Sequence, residues 1–158
     1  MQSGFVGDAG NRKTPSTAPI VGENTIGSNG SSCCGHHILF VDDDTVGLRV
    51  RGEFFEELGN SVVLCDSPAA ALSCNLSNFD VGVVDFHMPG LNGRELLLRM
   101  RASGARFPII LFTGHIEALD RENRVLFARC IDKGEPIQRL LDCIAELLDP
   151  NQLPDYGS

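Results

Sequence analysis

The sequence predicts an α/β protein in which helices cover both faces of a five-stranded parallel sheet. Short apolar runs of strand length alternate with segments of helical periodicity along most of the chain. Several of these runs have no polar residue in their interior, which is typical of strands buried on both faces. Strict alternation of the two element types indicates parallel strands joined by helical crossovers.

The predicted strands are runs of four to seven mainly apolar residues, and most of them lead directly into a polar side chain. The first run, HILFV, is followed by three consecutive aspartates, and the third ends in Asp85. The fourth ends in Thr113, and the fifth leads to Lys133. The strands are predicted at 37–41, 61–65, 80–85, 107–113 and 129–132.

The helices are predicted from apolar spacing and from end signals. In the first, every fourth residue from Val46 to Leu58 is apolar, and Gly59 provides a C-terminal stop. Ser67 caps a short second helix that has Pro68 at its first position. The last helix carries one continuous apolar face. The other helices are predicted at 92–102, 116–127 and 136–148.

The composition predicts one folded domain between two tails. Gly, Ser, Thr, Asn and Pro supply 20 of residues 1–35, so this segment is predicted to be a disordered tail. Residues 36–148 form the predicted domain. The segment 149–158 contains two prolines and a glycine and is predicted to be a C-terminal tail.

The charge and the cysteines limit the class of protein. The net charge is −8, which argues against a general nucleic-acid or anionic-membrane binder. No apolar run approaches the ~20 residues of a membrane helix, and the N-terminus lacks signal-peptide order, so we expect a cytoplasmic protein. The Cys33-Cys34-Gly35-His36-His37 cluster offers adjacent ligands that cannot easily close a tetrahedron, and no metal is expected there.

Polar side chains at the strand ends predict a site at one edge of the sheet. The carboxyl ends of parallel strands share an edge, so Asp42, Asp43, Asp85, Thr113 and Lys133 should converge there. Grouped carboxylates stay ionised only with a cation among them, and a few hard oxygen ligands favour Mg²⁺. A metal ion, a lysine and a hydroxyl together suit a phosphoryl group, with one carboxylate as the nucleophile that forms an acyl phosphate.

Four segments carry a family resemblance: HILFVDDDT, VVDFHMPGLNG, LFTG and IDK. They resemble the receiver domain of bacterial two-component response regulators, over about residues 37–148. The most specific feature is Asp85 followed four residues on by Pro89 and eight residues on by Gly93. The resemblance implies a flavodoxin-like doubly wound sheet with strand order 2-1-3-4-5, and a function in phosphorelay signal transduction.

The resemblance also implies a metal site and a phosphoacceptor. Asp85 would be the phosphoacceptor and a Mg²⁺ ligand. Asp43 would bind Mg²⁺ directly, and Asp42 would contribute through water. The backbone carbonyl of His87 would be a further ligand.

Four side chains around the phosphoryl group have roles implied by the resemblance. Thr113 would hydrogen-bond the phosphoryl group and move on activation, and Lys133 would pair with a phosphoryl oxygen. Lys133 is one of only two lysines in the chain, although arginines are common. His87 and His115 occupy positions that border the phosphoryl group and are candidates for tuning its lifetime.

Two positions depart from the family pattern. Gly134 stands where the family usually has proline after the lysine, often in a cis bond. A cis Lys-Gly bond is costly, which favours a trans bond, and the sequence leaves both forms open. Cys130 stands where the family favours a tyrosine or phenylalanine. In the family this aromatic side chain is the partner of the threonine in the conformational switch.

The implied protein is a signalling domain and not an enzyme, since it would catalyse only its own phosphorylation and dephosphorylation. A sensor histidine kinase or a phosphotransfer protein would be the donor. The ten residues after Leu148 cannot hold an output domain, so we expect a stand-alone receiver. It would act by docking an unknown downstream protein or by passing the phosphoryl group on, without contacting nucleic acid or membrane.

Two alternatives remain open at this stage. Asp42 and Asp44 after an apolar strand fit the nucleophile and general acid of a haloacid-dehalogenase-type phosphatase. That interpretation lacks a later strand ending in an acidic pair and gives Asp85 no role. The second alternative is a pseudo-receiver, a binding module without phosphorylation, which the departures at Cys130 and Gly134 would favour.

Overall fold

Five strands pair in parallel in a computed structural model that describes residues 34–151. The sheet order is β2-β1-β3-β4-β5, so the predicted α/β fold and strand order are confirmed. Nearly all of the predicted N-terminal tail, with Cys33, lies outside the described residues, as do residues 152–158. The strands are β1 (His37–Val41), β2 (Ser61–Cys65), β3 (Val81–Val84), β4 (Ile109–Thr113) and β5 (Arg129–Asp132).

Four of the five α-helices in the described part of the chain begin after a residue whose side chain caps them. The carboxylate of Asp44, the hydroxyl of Ser67 and the amide oxygen of Asn92 each accept a backbone N–H of the first helical turn. No helix in the described part of the chain is long and apolar enough to cross a membrane. The helices are α1 (Thr45–Glu57), α2 (Pro68–Leu72), α3 (Gly93–Ala102), α4 (Arg121–Arg124) and α5 (Ile137–Leu148).

The helix predicted at 116–127 is wrong. The segment contains a 3₁₀ turn (Ile116–Ala118), an extended Leu119, and then the four-residue α4. Asp120 caps α4 and so starts a new helix inside the predicted one. The guanidinium of Arg124 donates to the carbonyl oxygens of Ile116 and Leu119. Side-chain hydrogen bonds therefore satisfy carbonyls that a continuous helix would pair along its backbone.

Two apolar layers hold the helices against the sheet. On one face, alternate residues of the central strands pack with α2 and α3 through Ala71, Leu96 and Met100. On the other face, the intervening residues, such as Phe40 and Phe112, pack with α1 and α5. Because successive side chains of a strand point to opposite faces, each face of the sheet has its own apolar core.

Helix α1 presents a different face to the core from the one that its apolar spacing suggests. Val46 and Val50 of the predicted apolar series are 72% and 60% exposed. The buried series contains Leu48, Gly52 and Phe55. A Cβ at Gly52 would lie 2.8 Å from a methyl carbon of the Leu64 side chain, so glycine allows α1 to approach β2 closely on this face.

Candidate functional site

Backbone pairing continues past the strand ends and sets the position of the predicted site. The N–H of Asp85 donates to the carbonyl of Val41 at 2.9 Å, one residue beyond β3. The N–H of Lys133 donates to the carbonyl of Thr113 at 3.0 Å, one residue beyond β5. These hydrogen bonds bring the aspartates, the threonine and the lysine to one edge of the sheet.

Three carboxylates lie together at this edge. Asp42, Asp43 and Asp85 each offer an oxygen within 4.8 Å of the others. Asp42 and Asp85 are buried, with 3% and 6% of their surface exposed, whereas Asp43 is exposed. A group of hard oxygen donors that is open on one side fits Mg²⁺, which binds through few carboxylates and keeps several waters.

Lys133 lies between the two buried carboxylates. Its Nζ is 2.7 Å from Oδ2 of Asp42 and 3.2 Å from Oδ2 of Asp85. The loop that carries it has no cis peptide bond, as in the rest of the described chain, so the Lys133–Gly134 bond is trans. The N–H of Gly134 donates to Oδ1 of Asp132 at 2.7 Å, and this turn positions the lysine without a proline.

The Thr113 hydroxyl is fully buried at the end of β4. Its oxygen has no hydrogen-bond partner among the described residues. A buried polar atom without a partner is costly, and such atoms are often found where a ligand completes the bonding. The hydroxyl therefore has a free donor at the end of β4, on the edge of the sheet that carries the carboxylates.

Arg51 also belongs to this site, although the sequence pattern did not predict it. Its guanidinium extends from α1 and donates to Oδ2 of Asp42. The Arg51 side chain is only 11% exposed, and its Cζ lies 5.1 Å from the centre of the Phe112 ring. The available signal was an arginine four residues before Phe55 and three after Leu48, on the helix face that turns inward.

Two loops border the carboxylates. The loop after Asp85 is closed by a hydrogen bond from the N–H of Gly93 to the carbonyl of Phe86 at 2.8 Å. His87 on this loop and His115 on the loop after β4 are both exposed. Their ring centroids are 5.6 Å apart with an interplanar angle of 77°, so the rings meet edge to face across the two loops.

This combination of fold and strand-end residues agrees with a comparison against protein-family models. The model of the response regulator receiver domain matches residues 38–144. The chain belongs to this receiver-domain family. The receiver is thus a signalling domain of the two-component type, and the predicted family resemblance is confirmed.

The curated relatives of this receiver are longer proteins. The transcriptional regulatory protein FixJ of Bradyrhizobium diazoefficiens is 40% identical over 81 residues, which are 50% of this chain and 39% of FixJ. The sensor histidine kinase GacS of Pseudomonas protegens is 30% identical over 125 residues, which are 75% of this chain and 13% of GacS. The receiver therefore corresponds to a minor part of each relative.

Solved structures share the receiver fold. A receiver domain protein from Methanospirillum hungatei has a TM-score of 0.65 at 27% identity, over 73% of this chain and 94% of that one. The response regulator TrrA of Thermotoga maritima, in a complex with Mg²⁺-BeF, has a TM-score of 0.65 at 24% identity, over 72% of this chain and 99% of that one. At 24% identity, the likeness to TrrA shows a shared fold only.

Proposed function

We propose that this receiver is phosphorylated on Asp85 in a Mg²⁺-dependent reaction and signals through the resulting acyl phosphate. The observation that carries the proposal is the pairing of a buried Asp85 carboxylate with Lys133 beside two further carboxylates. The donor would be a sensor histidine kinase or a phosphotransfer protein. The phosphorylated receiver would then dock a downstream protein or pass the phosphoryl group on.

In the proposed reaction, a carboxylate oxygen of Asp85 attacks the phosphorus of the donor. A new P–O bond forms as the bond to the donor's leaving atom breaks, and the leaving atom departs with the electron pair. Lys133 and the free hydroxyl of Thr113 donate hydrogen bonds to the phosphoryl oxygens. A bound Mg²⁺ would supply positive charge to the same oxygens.

The residues that would hold the metal are Asp42, Asp43 and Asp85, together with the backbone carbonyl of His87. The three carboxylates are hard oxygen donors, which suit Mg²⁺ and support this assignment. Asp43 is the exposed member and has no ion pair among the described residues, so its carboxylate is free to bind a cation directly. Asp42 is already neutralised by two cationic side chains and would contribute through water.

Mass spectrometry of the intact protein tests this function. Incubation with acetyl phosphate and Mg²⁺ should add the mass of one phosphoryl group, and Asp85→Asn should abolish the addition. The matched control is Asp66→Asn, which removes an exposed carboxylate just beyond β2, outside the carboxylate group. Asp66→Asn should be phosphorylated like the wild type.

Other outcomes would support the alternatives. Phosphorylation on Asp42 that persists in Asp85→Asn would favour the phosphatase interpretation. The contacts argue against it, because Asp44, its general acid, accepts the N–H of Gly47 as the α1 cap. No mass increase from any donor, with the fold intact by circular dichroism, would favour the pseudo-receiver.

A further inference from the structure

Asp42 is almost fully occupied by hydrogen-bond donors. Its Oδ2 accepts from both Arg51 and Lys133, and its Oδ1 accepts the N–H of Asp44 at 3.0 Å. A carboxylate offers about four acceptor positions, so one remains for a metal ion or a metal-bound water. Both positions of Oδ2 are occupied, so a cation can bind through this oxygen only if Arg51 or Lys133 leaves.

The contacts indicate that Arg51 is the donor that leaves. Lys133 is bound to two carboxylates, whereas Arg51 is paired with Asp42 alone among the described residues. Nε of Arg51 is buried and has no hydrogen-bond partner among the described residues. Movement of the guanidinium away from Asp42 therefore breaks few other bonds. Arg51 also lines an open cleft between α1 and α5, together with Phe112 and Lys133, and the guanidinium can move into this space.

The charges at the site lead to the same conclusion. Three carboxylates face two cationic side chains, so the site carries a net charge of about −1 without a metal. If Arg51 were absent, two unpaired negative charges would attract a divalent cation more strongly. Because the pair is nearly buried, solvent screens this effect far less than it would on the surface.

We infer that Arg51 is a resident counter-ion that competes with the divalent cation for Asp42 and so lowers the receiver's affinity for Mg²⁺. The inference rests on the proposed function, because it assumes that the carboxylate group binds the metal. Arg51 acts through Asp42 and is a positioning residue. Metal entry and release of Arg51 are then coupled, so metal binding at the sheet edge changes the packing of α1 on Phe112.

Calorimetric titration of Mg²⁺ into the metal-free full chain tests the competition. Arg51→Met keeps an apolar stem over Phe112 and removes the charge, and it should bind Mg²⁺ about tenfold more tightly than the wild type. The matched control is Arg49→Met on the exposed face of α1, which makes the same change in net charge. Because an exposed charge is screened, the control affinity should stay within about twofold of the wild type.

The outcomes separate this inference from the proposed function. If the wild type binds Mg²⁺ and Arg51→Met binds equally or more weakly, the counter-ion role is overturned while the metal site stands. If Arg49→Met tightens binding as much as Arg51→Met, a general charge effect replaces the specific competition. If none of the three proteins binds millimolar Mg²⁺, both proposals fail. A melting curve without metal confirms that Arg51→Met is folded, and Arg51→Lys, which keeps a cation, should stay closer to the wild type.

Discussion

Gly93 touches the backbone of Asp85 so closely that no side chain fits between them. A Cβ at position 93 would lie 2.8 Å from the carbonyl oxygen of Asp85 and 2.9 Å from Cα of Phe86. Gly93 begins α3, and its own N–H donates to Phe86. The glycine therefore fixes how α3 sits against the residue that would accept the phosphoryl group.

We expect Gly93→Ala to displace the Asp85 backbone, lower the free energy of unfolding by about 1–3 kcal/mol and slow phosphorylation. Denaturant unfolding and labelling with acetyl phosphate measure the two effects. Gly114→Ala is the control, since a Cβ there would meet nothing within 4 Å and its backbone is not left-handed. Equal stability and labelling rates in Gly93→Ala and wild type would contradict this role.

Asp43→Asn should stabilise the metal-free receiver and weaken Mg²⁺ binding. Asp42 and Asp85 share Lys133, whereas Asp43 adds charge to the group without a paired cation among the described residues. Relief of this repulsion should raise the free energy of unfolding by about 0.5–1 kcal/mol. Thermal melts with and without Mg²⁺ measure both effects.

Asp44→Asn provides the control for the charge change at Asp43. It alters the adjacent exposed residue by the same charge and keeps a side chain that can cap α1. Asp44→Asn should retain the Mg²⁺-dependent rise in melting temperature. If Asp43→Asn retains it equally, Asp43 is not a metal ligand.

His87→Ala and His115→Ala should each shorten the lifetime of the phosphorylated receiver. The two rings meet edge to face on the loops that follow Asp85 and Thr113, and in this position they would limit the approach of water to a phosphoryl group on Asp85. We expect hydrolysis to be about two- to fivefold faster, equivalent to about 0.5–1 kcal/mol in the barrier. Decay of the phosphorylated mass with time gives the rate, and His37→Ala, at the start of β1 and thus the opposite end of the strands, is the control.

The double variant distinguishes a shared role of the two rings from separate ones. Because the rings touch, removal of the second should add little once the first is gone. If the rate increase in the double variant equals the product of the two single increases, the contact between the rings does not protect the phosphoryl group. The same conclusion follows if both single variants have the wild-type lifetime.

Activation should cause only a small rearrangement of the segment 116–148. Cys130 stands in place of a large ring, and its Sγ lies 3.6 Å from the carbonyl of Arg124. If Thr113 moves toward the phosphoryl group, little side-chain volume can therefore follow it. Hydrogen exchange with and without beryllofluoride and Mg²⁺ should change most around Asp85 and the two border loops.

Cys130→Tyr should enlarge the exchange response of 116–148, provided that the added ring is accommodated; overpacking would cost about 1–3 kcal/mol. A melting curve shows whether the variant is folded. Wild-type changes across 116–148 as large as those around Asp85 would contradict the expected small rearrangement.

The sheet and its polar edge could be predicted because both depend on local patterns. Apolar runs of strand length determine β1 to β4, and the residue after a parallel strand must lie at the common edge. Asp42, Asp85, Thr113 and Lys133 therefore converge as expected. Their detailed roles remain proposals.

Helix α1 shows what the sequence could not determine. Its apolar residues form two interleaved series, and periodicity alone does not tell which one faces the sheet. The buried series includes Gly52, which contributes no hydrophobicity, and the neighbouring half-buried Arg51 pairs with Asp42 from another part of the chain. In 116–127, likewise, the hydrogen bonds of the Arg124 side chain replace helical ones.

The polar edge is assembled from residues that are distant in the chain, and this has a consequence for folding. Lys133 reaches Asp42 and Asp85 only when β5 has paired with β4, and β4 with β3. Contacts of such high sequence separation form late, after the loop-closure entropy has been overcome. A nascent or partly unfolded chain would therefore present an aspartate without its lysine. The receiver would therefore accept a phosphoryl group only after its tertiary structure is complete. Incompletely folded molecules would not be phosphorylated and would not signal.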